Sequence, residues 1–458
     1  MITAASTSSK AFVVQFKELR LWSVGSFFGV GWQWPQEFIK PLSAALNRKQ
    51  VEVDKRAYPL GSLKLVTLHF DGMMEPRDLR GKDEFKGKLY LAHAGDVIYS
   101  KIDVRNGAIG VVPNELTSIA VSGEYPVYEV LPDHAIAEYV KLVFRTAYFR
   151  RAINSMISGT SGRKRVQPGQ IESLEVPFPP LETQRAIVVR WQQAQAEIAA
   201  AMERIGHLEE DTKQVVLQSL GLERSANTQV PKYFALPWRK IERWSVEFVT
   251  RTALRESNIK ASMYNTVPLM SLCHSRSGGT PSKRQSHYWN GTIPWVSPKD
   301  MKSREIWDTR DHISNAAIEN SSAPLIQPNS ILLVVRSGIL QRIVPVAINR
   351  VPVSINQDMR AYTLVSDRLL PEFLASFLEA KQGDLLKLVK WSTTVQSINT
   401  EDLDAFPIPV PPLDIQREIV RRVEAGRAEI AREREAAARW AREAEAEVEA
   451  LILGTKKL

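Results

Sequence analysis

Cysteine is almost missing from this chain: Cys273 is the single one among 458 residues. An internal disulfide and a cysteine-based zinc site are therefore excluded, and the chain fits a reducing cytoplasm. Histidines number seven and are scattered. There is no Gly-x-x-x-x-Gly-Lys-Ser/Thr loop to cradle phosphates and no His-Glu-x-x-His helix to hold zinc. Gly159-Thr160-Ser161-Gly162-Arg163-Lys164 has the composition of a phosphate loop but not its spacing. Neither Pro-Pro run follows the Asp or Asn of an amino-methyltransferase motif. Pro132-Asp133 with Glu138 and Lys141 misses a metal-nuclease pattern by one residue. Long apolar runs are also missing. None reaches membrane-spanning length, and the small, polar stretch Met1 to Lys10 lacks the apolar core of a signal peptide. These absences predict a soluble, cytoplasmic, non-catalytic chain that binds no metal and no membrane.

What is present is a repeat. Val176-Pro177-Phe178-Pro179-Pro180-Leu181-Glu182-Thr183-Gln184-Arg185-Ala186-Ile187-Val188 returns as Ile408-Pro409-Val410-Pro411-Pro412-Leu413-Asp414-Ile415-Gln416-Arg417-Glu418-Ile419-Val420, about 232 residues later. The offset holds backwards through Ile171/Leu403 and Leu174/Phe406. A unit this large, repeated once, is a duplicated domain rather than a solenoid. Weaker echoes pair Leu21 to Val24 with Arg243 to Val246, Tyr58 to Leu63 with Val267 to Leu272, and the strand-like Gly95 to Ser100 with Asn329 to Val334. A helical pattern runs over 136–157 in the first half and 371–390 in the second. The units are α+β.

Each repeat then opens a long helix. Ile187, Trp191, Ala194, Ile198, Ala201, Ile205, Leu208, Thr212 and Val215 recur at alternating spacings of four and three. Ile419, Val423, Gly426, Ile430, Glu433, Ala437, Trp440, Ala444, Glu447 and Leu451 do the same. Sustained spacing of this kind predicts a coiled-coil seam. Gly221 and Gly454 sit where helix C-caps belong. The expected architecture is two globular units separated by two long helices that form an antiparallel coiled coil. Its boundaries are 12–180, helix 181–221, linker 222–243, 244–412 and helix 413–453. A helix of about 38 residues spans roughly 57 Å, enough to hold two reading heads on successive major-groove segments of duplex DNA.

The charge favours such a ligand. Lys and Arg total 60 against 51 Asp and Glu, a formal net charge of +9, which suits nucleic acid, although a solvating excess would look the same. From Lys141 to Arg165 there are seven basic residues and no acidic one. Thr160 and Ser161 form a Gly-flanked loop just before Arg163, Lys164 and Arg165, the donor set that phosphate contacts use. The corresponding loop in the second half offers Thr393, Thr394 and Gln396. A second cluster comprises Ser277, Gly278, Thr280, Lys283 and Arg284, leading past Tyr288, Trp289 and Trp295 to Lys299. Its aromatics suit core support or stacking. Lys101 and Arg105, and likewise Arg336 and Arg342, follow strands at comparable places. For all of these an ordinary solvated basic surface is the bland alternative.

Pro-Pro-Leu-x-x-Gln-Arg-x-Ile-Val at the head of each long helix resembles the specificity subunit of type I restriction–modification enzymes. The Gly-Gly-Thr-Pro-Ser stretch running through Trp289-Asn290-Gly291 to Ile293-Pro294-Trp295-Val296 looks like a common start of that family's target-recognition domain. The first half departs by lacking this start, and by placing Arg163-Lys164-Arg165 where the second has Val395-Gln396-Ser397. The resemblance implies a non-catalytic subunit of a phage-defence restriction system. It would read an asymmetric bipartite site in double-stranded DNA, one half per target-recognition domain. Two adenine methyltransferase subunits would dock on the helix pair. Gln184, Ile187, Trp191, Ile198, Gln416, Ile419, Val423, Ile430 and Trp440 are the candidates for the seam and that docking. S-adenosylmethionine would belong to the methyltransferases, and ATP and magnesium to motor-nuclease subunits, with none held by this chain. Two alternatives stay open: a coiled-coil scaffold whose globular ends bind protein, and the reader of a related phage-defence methyltransferase system.

Overall fold

A computed structural model of the chain describes residues 31–54, 64–77, 87–155, 165–222, 262–390 and 395–458. Contacts divide the chain into two compact units, residues 1–200 with 436–458 and residues 201–435.

In the first unit a four-stranded sheet runs in the order Leu46–Lys49, Val127–Val130, Val97–Tyr99, Ile109–Val111. Val97, Ile98 and Tyr99 are all buried, because the sheet is covered on both faces and a continuous apolar run then replaces alternation. Helices Ala137–Arg145 and Ala147–Ser155 follow. Three buried tyrosines keep their hydroxyls satisfied: Tyr99 and Tyr139 donate to the carbonyls of Val166 and Pro177, and Tyr128 donates to Glu172. The unit closes where Ile39–Pro41 pairs antiparallel with Glu175–Pro177.

The second unit repeats this plan. Its five-stranded sheet is ordered Cys273–Ser277, Met359–Leu364, Ile331–Val334, Val346–Asn349, Glu305–Ile306. The first four strands correspond to those of the first sheet, and the fifth, parallel to its neighbour, is an addition. Ile331, Leu332, Leu333 and Val334 are each 0% exposed, and burial on this scale contributes about 1.5–3 kcal/mol per side chain. Thr266–Pro268 pairs antiparallel with Pro407–Pro409 and closes this unit as Ile39–Pro41 closes the first.

The closure corrects one sequence alignment. Tyr58 to Leu63, matched above with Val267 to Leu272, lies outside the described residues, and the structural equivalent is the run around Pro41-Leu42. Pro41 and Pro268, with φ of −61° and −60°, each end the closing strand and start a short 3-10 turn, Leu42–Ala44 and Leu269–Ser271. The amides of Leu42 and Leu269 donate to the carbonyls of Leu174 and Phe406, both at 2.9 Å. The pair 95–100 and 329–334 is aligned correctly: Gly95 and Asn329, with φ of 87° and 62°, make the turn before the equivalent strands. The echo of 21–24 with 243–246 lies outside the described residues.

The helical patterns 136–157 and 371–390 each resolve into two helices. Thr146 breaks the first, with ψ of 144°. Its hydroxyl donates to the Val143 carbonyl and accepts from the Phe149 amide, ending one helix and capping the next. Pro371–Ala380 and Gln382–Lys387 are divided at Lys381.

The long helices span Leu181–Ser219 and Leu413–Leu453, 39 and 41 residues. Proline at the N-terminal boundary removes an amide that no helical bond needs, and Glu182 and Asp414 oppose the positive end of the helix dipole. Gly221 and Gly454 end them in the left-handed conformation, φ 69° and 79°. Within the first unit, Ile187 and Val188 pack with Val448, Leu451 and Ile452, flanked by Arg190–Glu447 at 2.9 Å. Within the second, Val216 and Leu220 pack with Ile419 and Val423, flanked by Arg204–Glu433 at 3.5 Å and by Arg434–Glu209. The start of one helix thus meets the end of the other, antiparallel. Val423, Ile430, Ala437, Ala444 and Leu451 are buried at strict seven-residue intervals. Glu433, Trp440 and Glu447, expected in the seam, lie on its flanks: the two glutamates are half-buried and ion-paired, and Trp440 is exposed. Trp191 and Ile198 are half-buried.

Candidate nucleic-acid interface

In both units a loop leaves the central strand of the sheet and is stapled to two others. In the first, the Lys101 amide donates to the Glu124 carbonyl at 3.1 Å, and the Val166 amide donates to the Lys101 carbonyl at 2.8 Å. In the second, the Val335 amide donates to the Asp358 carbonyl and the Ile398 amide to the Val335 carbonyl, at 2.8 and 2.9 Å. The same corner is therefore built twice. It gathers Lys101, Arg105 and Arg165 in one unit and Arg336, Gln396 and Ser397 in the other.

Its cations are held by their own chain. The Lys101 ammonium donates to the Gly123 carbonyl at 2.7 Å, and Arg165 pairs with Glu124 at 3.2 Å. Arg105 is exposed on the short turn Val104–Asn106, whose Val104 is buried. Arg336 pairs with Asp358 at 2.6 Å while remaining half-exposed. Both arginines present one edge to a carboxylate, a way of fixing a guanidinium plane before any ligand arrives. Thr160, Ser161, Arg163, Lys164, Thr393 and Thr394 lie outside the described residues.

The Ser277 segment adds a second wall to the corner of the second unit. Thr280 bonds to the Gln357 side chain, and Arg360 donates to Ser275 and Ser277 at 2.7 and 3.2 Å. Gly278 and Gly279 are packed against their own domain. A Cβ at Gly278 would lie 1.8 Å from the Asn356 carbonyl oxygen, and one at Gly279 2.3 Å from that of Ser322. The glycines let segments of the same domain come together. Lys283 lies over the Trp289 ring at 5.9 Å, and Trp289 meets Trp295 edge-on at 5.1 Å. These aromatics, with Tyr288, build a small core under the loop, and Trp295 donates to the Gly279 carbonyl at 3.1 Å. Lys283, Arg284 and Lys299 are exposed on this loop system. Arg342 stands apart: it follows the short turn Gly338–Gln341, and Ile339 of that turn and Ile343 after it line a cleft against the long helices. Gln396 is buried, 5% exposed, so its side chain belongs to the domain interior, against the expectation of a base contact.

Sequence reasoning missed Asn356-Gln357-Asp358 and Arg360. The run of short polar residues between two strands was the available signal. It also grouped two glutamines with the seam and docking residues. Gln184 and Gln416 are each 0% exposed. Gln184 accepts from the Ile136 amide at 3.0 Å and donates to the His134 and Pro179 carbonyls. Gln416 accepts from the Leu370 amide at 2.8 Å and donates to the Arg368 and Pro411 carbonyls. Each locks the first turn of a long helix to the start of a short one. Ile187, Ile419, Val423 and Ile430 are likewise buried, so the helix pair itself consumes them.

Among the described residues no three of His, Cys, Asp and Glu are grouped to hold a metal ion, and no helix is long and apolar enough to cross a membrane.

The family model of the Type I restriction modification DNA specificity domain matches residues 262–437. The specificity subunit of the type I restriction enzyme EcoR124I/EcoR124II of Escherichia coli is 40% identical over 145 residues, 31% of this chain and 36% of that protein. That of MjaIX from Methanocaldococcus jannaschii is 30% identical over 146 residues, 31% of this chain and 33% of its own length. The matches thus span about a third of these relatives. A solved chain from a type I R-M system shares the fold, with a TM-score of 0.56 at 17% identity over 93% of this chain and 98% of that one. Residues 262–437 therefore match the Type I restriction modification DNA specificity domain, and the chain is similar to type I specificity subunits.

Proposed function

We propose that this chain is the DNA-reading subunit of a type I restriction–modification system. Each unit takes one half of an asymmetric bipartite site in double-stranded DNA. The observation that carries the reading is the loop corner built twice, at the same place on two equivalent sheets and with different side chains. Equivalent frames suit one ligand geometry, while different surfaces suit two different base sequences. Arg105, Arg165, Lys283, Arg284, Lys299 and Arg336 supply phosphate affinity, together with Arg163 and Lys164. The chain supplies no catalytic group. Two adenine methyltransferase subunits and the motor-nuclease subunits dock on it and bring S-adenosylmethionine, ATP and magnesium, in the cytoplasm.

Binding to duplex DNA in the presence of the methyltransferase, measured against salt, tests the phosphate assignment. Replacing Arg163, Lys164 and Arg165 with Ala should weaken binding to every sequence. The log–log salt slope should fall by about 0.9 for each phosphate no longer neutralised. An unchanged slope would remove this loop from the interface. A protein-binding scaffold would show no salt-dependent DNA affinity at all.

A further inference from the structure

The loop corner carries an acid at the same place in both units. The amides of Lys101 and Val335 donate to the carbonyls of Glu124 and Asp358, which makes those two residues structurally equivalent. Around them Ser122-Gly123-Glu124-Tyr125 and Asn356-Gln357-Asp358-Met359 share no identical residue. Each carboxylate meets the Nε of an arginine, Arg165 at 3.2 Å and Arg336 at 2.6 Å. The two arginines are not equivalent. Arg165 precedes the stapled Val166, where the second unit has Ser397, and Arg336 follows Val335, where the first unit has Ile102. The pair is thus made twice at one corner, with the arginine supplied from different segments.

An exposed ion pair adds little to stability, so stability gives no reason for its recurrence. Asp358 is itself fixed: its Oδ2 accepts from Asn356 Nδ2 at 3.3 Å, its amide donates to Asn356 Oδ1 at 3.1 Å, and Asn356 is buried. The side chains of Arg165 and Arg336 are 50% and 54% exposed. Among the described residues each guanidinium meets this one carboxylate and no other. A free guanidinium takes whichever phosphate lies nearest. A carboxylate on its Nε edge lessens that pull and holds the plane of the fork, leaving two parallel donors at the open end.

We propose that Arg165 and Arg336 each read one guanine in the half-site of their own unit, and that Glu124 and Asp358 are the positioning residues that make the contact specific. In the major groove guanine offers two acceptors, O6 and N7, to paired donors. Adenine sets an N6 amino donor beside its N7, and a guanidinium has no acceptor to meet it. The charge of the two arginines still draws the duplex in, but their open ends are committed to a base. This proposal rests on the DNA reading.

The full chain with its cognate methyltransferase is titrated with its cognate duplex, and with duplexes in which each G·C pair of the site is replaced in turn by A·T. At least one replacement in each half should weaken binding about tenfold or more in the unaltered protein. Arg336→Ala should abolish that penalty at a single position, in the second unit's half, and leave the other half as it was. Asp358→Asn should lower the same penalty and no other. It should also tighten binding to non-cognate duplex, with a salt slope steeper by up to about 0.9 as the released guanidinium takes a phosphate. Glu124→Gln should act likewise on the other half. Arg336 is half-exposed, so its variant keeps the test decisive should Asp358→Asn fail to fold. Equal weakening of every duplex by Arg336→Ala would make the arginine a phosphate contact and overturn the proposal. So would a half-site without a G·C pair, or an even loss of affinity with Asp358→Asn. Binding of no duplex by the unaltered complex would sink the DNA reading, and this proposal with it.

Discussion

Gln184 and Gln416 show how a residue can be obvious in a sequence while its role is not. Their identity and spacing mark the repeat, but two of the three partners of each lie 46 to 50 residues earlier in the chain, in segments with little likeness to one another. A glutamine heading a long helix suggests a contact outward. The fold turns it inward, because the Pro-Pro bend brings the start of the short helix against it. Gln416→Met keeps the volume and leaves one amide and two carbonyls unmet. Unfolding in urea should show a loss of about 3 kcal/mol. A loss under about 1 kcal/mol would mean that water replaces the clamp. Cys273 gives a second test at this scale. It is 2% exposed, and burial pushes its thiol up to about 12. The folded chain should therefore leave the thiol unreacted with a disulfide reagent at about pH 8, where the unfolded chain reacts. Above about pH 9 the unfolded thiol ionises while the folded one stays protonated, so this group's contribution to stability declines as pH rises toward 12. Rapid labelling without unfolding would contradict its burial.

At the scale of elements, the long helices were the most legible part, since a seven-residue pattern kept over 41 residues suits little besides a long helix with a partner along its length. Short helices were less so. The periodicity of 136–157 continues across Thr146, and only the capping geometry of its hydroxyl reveals the break. The misaligned echo has a local cause as well. Pro59-Leu60-Gly61-Ser62 matches Pro268-Leu269-Met270-Ser271 better than Pro41-Leu42-Ser43-Ala44 does, yet it is Ile39–Pro41 that pairs with Glu175–Pro177 and leads into the equivalent turn. Gly426 tests how closely the helices approach. A Cβ there would lie 2.5 Å from the Thr212 hydroxyl, which is itself bonded to the Leu208 carbonyl at 2.7 Å. Gly426→Ala should gain about 1 kcal/mol of helix propensity and lose about 1–3 kcal/mol to the clash. Adding Thr212→Ala should remove the clash and return stability to the wild-type level or above. Additive losses in the double variant would show that the two residues do not touch.

At the scale of the molecule, duplication and basic charge were plain in the sequence, while the interface was not. The cations that define the corner come from segments far apart in the chain: Lys101 beside Arg165, and Arg336 beside Ser397. Sheet order unites them, and no local pattern announces sheet order. The close neighbours of the Gly278-Gly279 pair are likewise distant segments of its own domain. The central claim is that each unit reads its own half of the DNA site. Mapping adenine methylation across a genome, in cells expressing the chain with its cognate methyltransferase, tests this most directly. Residues 244–412 are exchanged for the equivalent segment of a relative with a different site. One half of the methylated motif should change and the other should stay as it was. A motif changed in both halves, or in neither, would contradict the account.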